Sequence, residues 1–506
     1  MKNISFKNES NGMTLNSSIS TSEVAATTET LPNPRRWKAL GLLSLAQFLV
    51  ILDTSIIGVA LPTIQQQFGF SQADLQWIFN AYVIVFGALL LLGGRLSDIL
   101  GQRKIFMIGF VTLTVGSIFA GLAPSGIVLI AARALQGIGA ALIAPSALSL
   151  VMSLFGNSKS EMNKAMGIWG ASAPAGGTAG VFLGGIITAW VDWSWVFLIN
   201  VPIGIAVLGL STKLLPMVSR RKGSIDYLGA FFITGALILV VYAIVTANDS
   251  GWMSMQTIVP LGMASLMFAL FFRTQRQKKE PLIPLSIFKT PNLLASNIVM
   301  ALLGAAWIPM WFFLNLYLQQ ILNYGPFESG LALLPMTVMI MVLMVSITPR
   351  LMNRFGIKLN LVIGLGLMTA GILIFSWTPS SSNSTVYTFI LSVLPGSLVA
   401  ALGMSIAYIP VLTAAFSNTH KEQTGLASGL VNTSYQIGSA LGLAIIVALA
   451  SSQTEMLENI GMPSIEAQNN GFHLAFVVGG IISAIAAIIA IARLDIKSRR
   501  KVPSSS

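Results

Sequence analysis

The sequence predicts an integral membrane protein made only of α-helices: fourteen spans, arranged as two pseudo-symmetric six-helix bundles with a helix pair inserted between them. Three observations predict it. Of 506 residues, 54% are hydrophobic and 9% are Asp, Glu, Lys or Arg, where a soluble chain is about a quarter charged. The apolar residues gather in fourteen runs, each near the ~20 residues that cross a ~30 Å hydrocarbon core as a helix. Of the 29 Lys and Arg, every one except Arg133 falls on one side if the first span starts inside, which is the positive-inside bias.

Residues 1–34, rich in Ser, Thr, Asn and Glu, lack the apolar content to fold alone and are expected to form a disordered cytoplasmic tail. No cleavable signal peptide is expected, because the first apolar run starts late and is long enough to span. The runs then follow at 39–62, 75–94, 105–124, 127–150, 165–189 and 194–215, a first bundle within 35–218. The inserted pair, within 219–280, has runs at 226–247 and 252–272. A second bundle, within 281–495, has runs at 292–320, 329–349, 359–378, 386–414, 424–450 and 472–493, before a tail at 496–506. Continuous apolarity at these lengths means helices, since barrel strands are shorter and alternate.

The net charge of +12 invites the thought of nucleic acid. The basic residues argue otherwise: Arg35, Arg36 and Lys38 precede the first span, Arg220 to Lys222 follow the sixth, Arg273 to Lys279 follow the eighth, and Arg499 to Lys501 close the chain. That placement reports orientation and contact with anionic lipid, with no basic and aromatic interleaving for nucleic acid. Both termini are expected in the cytoplasm, and the chain in a plasma membrane, the inner one in a bacterium. There is no Cys, and only His420 and His473, too few for a metal site, so neither metal nor cofactor is expected.

An internal repeat divides the chain. GRLSDILGQRKIFMIG from Gly94 aligns with PRLMNRFGIKLNLVIG from Pro349, matching Arg95 to Arg350, Leu96 to Leu351, Gly101 to Gly356 and Gly109 to Gly364. In the fifth span Gly167, Gly180 and Gly184 fall on Gly425, Gly438 and Gly442 at nearly the same offset. The loop between spans two and three thus corresponds to the loop between spans ten and eleven, which requires six helices, an inserted pair, and six more. Parallel halves of this kind place a cavity near the midplane.

Two ionisable residues lie deep in apolar spans: Asp53 in FLVILDTSIIGVALP and Arg133 in LIAARALQGIGAALIAP. Each costs about 2.5–3.5 kcal/mol at a helix centre, so both should face the interior. One reading is a proton-handling site, burial favouring the neutral acid and a nearby Arg133 the carboxylate; the other is a static ion pair that locks two helices. The fifth span, GIWGASAPAGGTAGVFLGGII, has small residues at helical spacing and Pro174 in its middle. It reads either as ordinary tight packing or as a kinked hinge in which Gly180, Gly184 and Gly185 let another helix approach. In the loop after span two, Gly93, Gly94 and Gly101 are expected to make the sharp turn, with Asp98 pairing Arg103, Lys104 or a base on a neighbouring helix. Such a cluster, with Arg95, can latch one state of the cytoplasmic face; alternatively its bases only stop translocation.

GRLSDILGQRK resembles the loop signature of the major facilitator superfamily, and the six-plus-two-plus-six layout resembles its fourteen-helix drug/proton antiporter branch. LDTSIIGVALPTI, ARALQGIGAALIAP, GVFLGGII and WSWVFLINVPIG extend the likeness over nearly all of the first half. The resemblance implies that Asp53 takes the proton, that Arg133 is its coupling partner, that Asp98 is the gating acid of the loop, and that Gly180, Gly184 and Gly185 form the antiporter motif. The chain departs from the pattern where Val181 replaces a Pro, where Ser55 and Gly58 stand for Thr and Asn, and where Ile99 replaces a basic residue.

Flexible thioethers, aromatics and a few amides suit a broad apolar pocket. Candidate cavity residues are Asn80, Gln136, Trp311, Asn315, Gln319, Met336, Tyr435 and Gln436, any of which could instead be core or lipid-facing. The expected function is proton-coupled export of amphipathic, neutral or weakly cationic small molecules by alternating access, by a monomer in contact with membrane lipids. A proton-coupled importer, a lipid or fatty-acid exporter, and more remotely a membrane sensor or enzyme are the competing readings.

Overall fold

The computed structural model describes residues 35–155, 159–217, 226–278, 280–283, 285–380, 386–416 and 424–494. The tails expected at 1–34 and 496–506 lie outside them. The described residues are helical almost throughout and contain no strand. Thirteen of their helices are long and apolar enough to cross a membrane. A fourteenth of 32 residues, Lys159–Trp190, reaches the length but is made less apolar by its Gly, Ala, Ser and Thr.

The first bundle comprises α1 (Arg36–Phe68), α2 (Gln72–Leu100), α3 (Gln102–Gly121), α4 (Gly126–Phe155), α5 (Lys159–Trp190) and α6 (Trp195–Leu214). The inserted pair is α7 (Tyr227–Ser250) and α8 (Met255–Gln277). The second bundle comprises α9 (Leu293–Ile321), α10 (Pro326–Phe355), α11 (Ile357–Trp377), α12 (Phe389–Ala415), α13 (Thr424–Asn459) and α14 (Ser464–Arg493). Large apolar side chains such as Phe119, Ile238, Leu266, Ile485 and Ile488 lie exposed on the outside. A soluble monomer does not present so much apolar surface, and hydrocarbon is the solvent it suits.

Packing repeats between the halves. In the first, α1 lies on α5, α3 on α4, α2 on α4 and α3 on α6; in the second, α9 lies on α13, α11 on α12, α10 on α12 and α11 on α14. The halves meet along two related seams, α2 against α13 and α5 against α10. The α7–α8 hairpin packs on both α2 and α13 and so covers the first seam only.

The paired glycines of the repeat perform the same task in each half. A Cβ on Gly180 would stand 2.9 Å from the Leu52 carbonyl of α1, and one on Gly184 would stand 2.6 Å from that of Ile56. In the second half, Gly438 and Gly442 are pressed in the same way against the backbone of α9 at Ala301 and Ala305. Gly185 points elsewhere, onto Gly330 across the α5–α10 seam.

The aligned turns also match. A single residue, Gly101, separates α2 from α3 with φ +101°, and Gly356 separates α10 from α11 with φ +81°, a conformation that a residue bearing a Cβ rarely adopts. Gly93 and Gly94, expected in that turn, instead lie inside α2, where a methyl on Gly93 would collide with the Ala141 carbonyl of α4. They permit helix contact rather than chain reversal.

Helix α5 continues as helix through Pro174. A break falls in α6 at Ile199, three residues before Pro202. Pro202 lacks the N–H that would bond the Leu198 carbonyl, so the helix loosens there. The second half has three π-turns, at Tyr317–Ile321, Leu343–Ile347 and Phe389–Val393.

At the chain-termini end of the bundle, Asp226 caps α7 and accepts four hydrogen bonds: from Lys278 Nζ at 2.6 Å, Gln275 Nε2 at 2.6 Å, and the Gly229 and Leu282 N–H groups at 2.9 and 3.3 Å. Burial alone would favour the neutral acid, but Lys278, Gln275 and the two backbone donors outweigh it and hold the carboxyl below its ordinary 3.8. An acid lowered in the folded state stabilises the fold above its unfolded value and loses that stabilisation as pH falls through the folded one. Asp226→Asn is therefore expected to be less stable than the parent at neutral pH by about 1–3 kcal/mol. In thermal unfolding in detergent, the gap should close as pH drops below 3.8.

Candidate functional site

Asp53 sits near the midpoint of α1, and its carboxylate is held by three donors from two other helices. Arg133 of α4 donates from Nη1 to Oδ2 at 2.7 Å. Gln136, one turn along α4, donates from Nε2 to Oδ1 at 3.0 Å, and Asn200 of α6 donates from Nδ2 to the same oxygen at 2.7 Å. All four side chains are 0% exposed.

The cage is itself held from behind. Arg133 donates from Nε to the Ile78 carbonyl of α2 at 3.0 Å and from Nη1 to Gln136 Oε1 at 2.8 Å. Its guanidinium lies 4.4 Å from the centroid of the Tyr82 ring and 5.7 Å from that of Phe197, contacts that favour a desolvated cation. Gln136 also donates to Ser117 Oγ of α3 at 2.8 Å. The Tyr82 hydroxyl donates to the Val50 carbonyl of α1 at 3.3 Å.

A carboxylate only accepts hydrogen bonds, and this one meets three donors, so the ionised form is satisfied in the geometry seen. Adding a proton turns one oxygen into a donor that faces other donors. Removing the negative charge weakens the bonds from these donors, so proton occupancy and the positions of α1, α4 and α6 are linked by chemistry.

The structure brings Asp53 and Arg133 together as the sequence predicts. Gln136, expected to line a cavity, bonds the Asp53 carboxylate. Asn200 and Ser117 were not singled out by sequence reasoning. Asn200 carried a signal, an amide within the apolar run WSWVFLINVPIG; Ser117 carried none, because a serine hides in any helix by bonding its own backbone.

The other expected cavity residues are dispersed. Asn80 is fully buried on α2 and bonds Gln76 Oε1 from Nδ2 at 3.3 Å, leaving its own Oδ1 and Gln76 Nε2 without a partner among the described residues. Asn315 of α9 lies 3.4 Å from where a Gly58 Cβ would be, and its buried Oδ1 is likewise unpartnered. Gln319 donates to the Val59 carbonyl of α1 at 2.9 Å. Trp311 is half-buried beside Trp307, with ring centroids 6.4 Å apart, and Met336 is fully buried in α10. On α13, Tyr435 packs edge-on to Tyr408 at 6.0 Å and Gln436 lies against Gly87 of α2.

The end of the bundle away from the chain termini is closed by amides and rings. Gln320, in the π-turn of α9, donates to Gln65 Oε1 of α1 at 2.7 Å and accepts from Gln468 Nε2 of α14 at 2.7 Å. Trp190 of α5 stacks on Phe327 of α10 at 4.9 Å.

At the termini end, Arg103 reaches α6, donating to the Thr212 and Leu215 carbonyls at 2.9 and 3.2 Å. There it meets the negative end of the α6 dipole. Arg95 pairs with Glu280, after α8, at 2.6 Å. Lys104 is exposed at the start of α3, and a Cβ on Gly94 would stand 3.6 Å from the Pro145 side chain of α4.

Two related six-helix bundles of membrane-length helices, the first with a fully buried ion pair at the middle of α1, fit a membrane transporter rather than an enzyme. The family model of the Major Facilitator Superfamily matches residues 43–443. The chain belongs to that superfamily. It is 36% identical over 420 residues to the cephamycin export protein CmcT of Amycolatopsis lactamdurans, covering 82% of this chain and 85% of that one. It is 34% identical to the puromycin resistance protein pur8 of Streptomyces alboniger, covering 84% and 83%, and 34% identical to the tetracenomycin C resistance and export protein of Streptomyces glaucescens, covering 83% and 77%. Among solved structures, the human organic anion transporter MFSD10 superposes with a TM-score of 0.61 at 14% identity, covering 90% of this chain and 100% of that one, a likeness of fold alone.

Proposed function

We propose that the protein exports amphipathic small molecules, antibiotics among them, in exchange for protons. The observation that carries the exchange is the buried carboxylate of Asp53, ringed by three donors at the midpoint of a membrane helix. The observation that carries the cargo is the set of relatives named for export of or resistance to cephamycin, puromycin and tetracenomycin C. Residues 35–218 and 281–495 act as the two rocking bundles, and 219–280 as a pair bridging one seam. Both termini lie in the cytoplasm of a bacterial inner membrane, so the closed end faces outward and the state seen is sealed to the outside. A single chain carries the full cycle, in contact with membrane lipids.

In the cycle, Asp53 gains a proton from the outward side, and Arg133 and its neighbours rearrange. The carboxyl returns its proton to the cytoplasm as cargo binds. Asn80, Trp311, Asn315, Gln319, Met336, Tyr435 and Gln436 line the path, with unpartnered amide oxygens on Asn80 and Asn315 for cargo donors. Gly180, Gly184 and Gly185 give α5 its close sliding contacts, Pro174 lies in the same helix, and Asp98 with Gly94, Arg95, Gly101, Arg103 and Lys104 forms the cytoplasmic latch.

Inverted membrane vesicles holding the protein, acidified inside by respiration and loaded with a pH-reporting dye, test this. Puromycin or a comparable amphipathic antibiotic should drive protons out of the lumen, with a response that control vesicles lack. An absence of any response across a panel of such compounds, with the protein abundant in the membrane, would contradict the proposal.

A further inference from the structure

We infer that Asn200 is a positioning residue for Asp53: its amide holds the carboxylate in the unprotonated state and is the bond released when the proton arrives, which frees α6 from α1. The inference rests on Asp53 being the proton site.

Three donors grip the carboxylate, and they differ in what else holds them. Arg133 is tied to the Ile78 carbonyl, to Gln136 and to the faces of Tyr82 and Phe197. Gln136 is tied through its oxygen to Arg133 and through its nitrogen to Ser117. Asn200 donates to Asp53 Oδ1 at 2.7 Å, while its own oxygen, also buried, has no partner among the described residues. Releasing Arg133 or Gln136 would unpick a network; releasing Asn200 breaks one bond.

Position adds to this. Asn200 stands at the break of α6, two residues before Pro202 and next to Ile199, where the helix is interrupted. The segment that carries the amide therefore lies where the helical hydrogen-bond ladder lacks the N–H of Pro202. Reorienting the amide would also turn its oxygen toward Asp53, where it can accept from the protonated acid.

Arg133 from α4 and Tyr82 from α2 are the charged and titratable groups at Asp53. Elsewhere on the helices packed against α1, such groups lie near helix ends: Asp74, Arg95 and Asp98 of α2, Glu161 and Lys164 of α5, Lys213 of α6, Tyr317 of α9, and Glu328, Arg350 and Arg354 of α10. The Asn200 amide is itself uncharged, so removing it changes hydrogen bonding without changing local charge. A hydrogen bond to the charged form favours that form.

The test is the pH dependence of drug-driven proton exchange in vesicles, for the parent, Asn200→Leu, Asn200→Ser and Asp53→Asn. Leu keeps the volume and Ser the polarity, and neither reaches Oδ1 with a donor amide. Both should move the profile to higher pH by about one unit, with membrane abundance and puromycin binding at the optimum retained. If Asp53→Asn abolishes exchange while both Asn200 variants keep the parental profile, Asn200 is only a packing residue and the inference fails. If Asp53→Asn exchanges protons like the parent, the underlying proton reading fails instead. If Asn200→Leu does not reach the membrane, the Ser variant decides by the same criterion.

Discussion

Asp53→Asn is expected to abolish uphill export while leaving the protein folded and in the membrane. The amide has the shape of the protonated acid and cannot lose its proton, so the carrier is fixed in the loaded form. Drug-driven proton movement in inverted vesicles should vanish. Exchange of labelled drug between equal pools on the two sides should vanish with it, because cargo enters only as the carboxyl gives up its proton. Membrane abundance separates a coupling residue from a structural one: a broken fold loses the protein from the membrane, and a lost proton site loses only transport.

Arg133→Leu has the opposite profile. The substitution leaves Asp53 0% exposed and without its cation, and breaking a fully buried pair from one side costs about 3–5 kcal/mol. It also removes the bond to the Ile78 carbonyl and the stacking on Tyr82 at 4.4 Å. Thermal unfolding in detergent should show that loss at neutral pH. The double variant Asp53→Asn/Arg133→Leu should recover much of it, because no unpaired charge is left inside. A double variant as unstable as the single would mean that Arg133 acts by packing and backbone bonding, and that the charge on Asp53 matters little to the fold.

The parts of this molecule that were legible beforehand are those in which one residue type has one affordable explanation. An Asp or Arg in the middle of an apolar run must face inward and find a partner, so Asp53 and Arg133 could be paired from energetics alone. The turns at Gly101 and Gly356 follow from the repeat, and both have the positive φ that explains their identity. The parts that were not legible depend on which faces meet. Gly93 and Gly94 read equally well as turn or as contact surface, and only the approach of α4 decides between them. Pro174 and Pro202 look alike in sequence, yet α5, packed on α1 and α10, continues as helix through its proline, while in α6 a one-residue turn at Ile199 precedes Pro202. Amides are the hardest case: Gln136 joins the carboxylate, Gln319 and Gln320 join the closed end, and Asn80 bonds along its own helix. Nothing in the spacing of these residues distinguishes those fates.

The most direct test of the central claim counts protons on the purified protein in weakly buffered detergent solution as a drug such as puromycin is added. Release of protons on binding near neutral pH by the parent, and none by Asp53→Asn, is the result that follows from a carboxyl exchanging its proton for cargo. Equal release from both proteins, or binding without release by a parent that still pumps against a gradient, would contradict it.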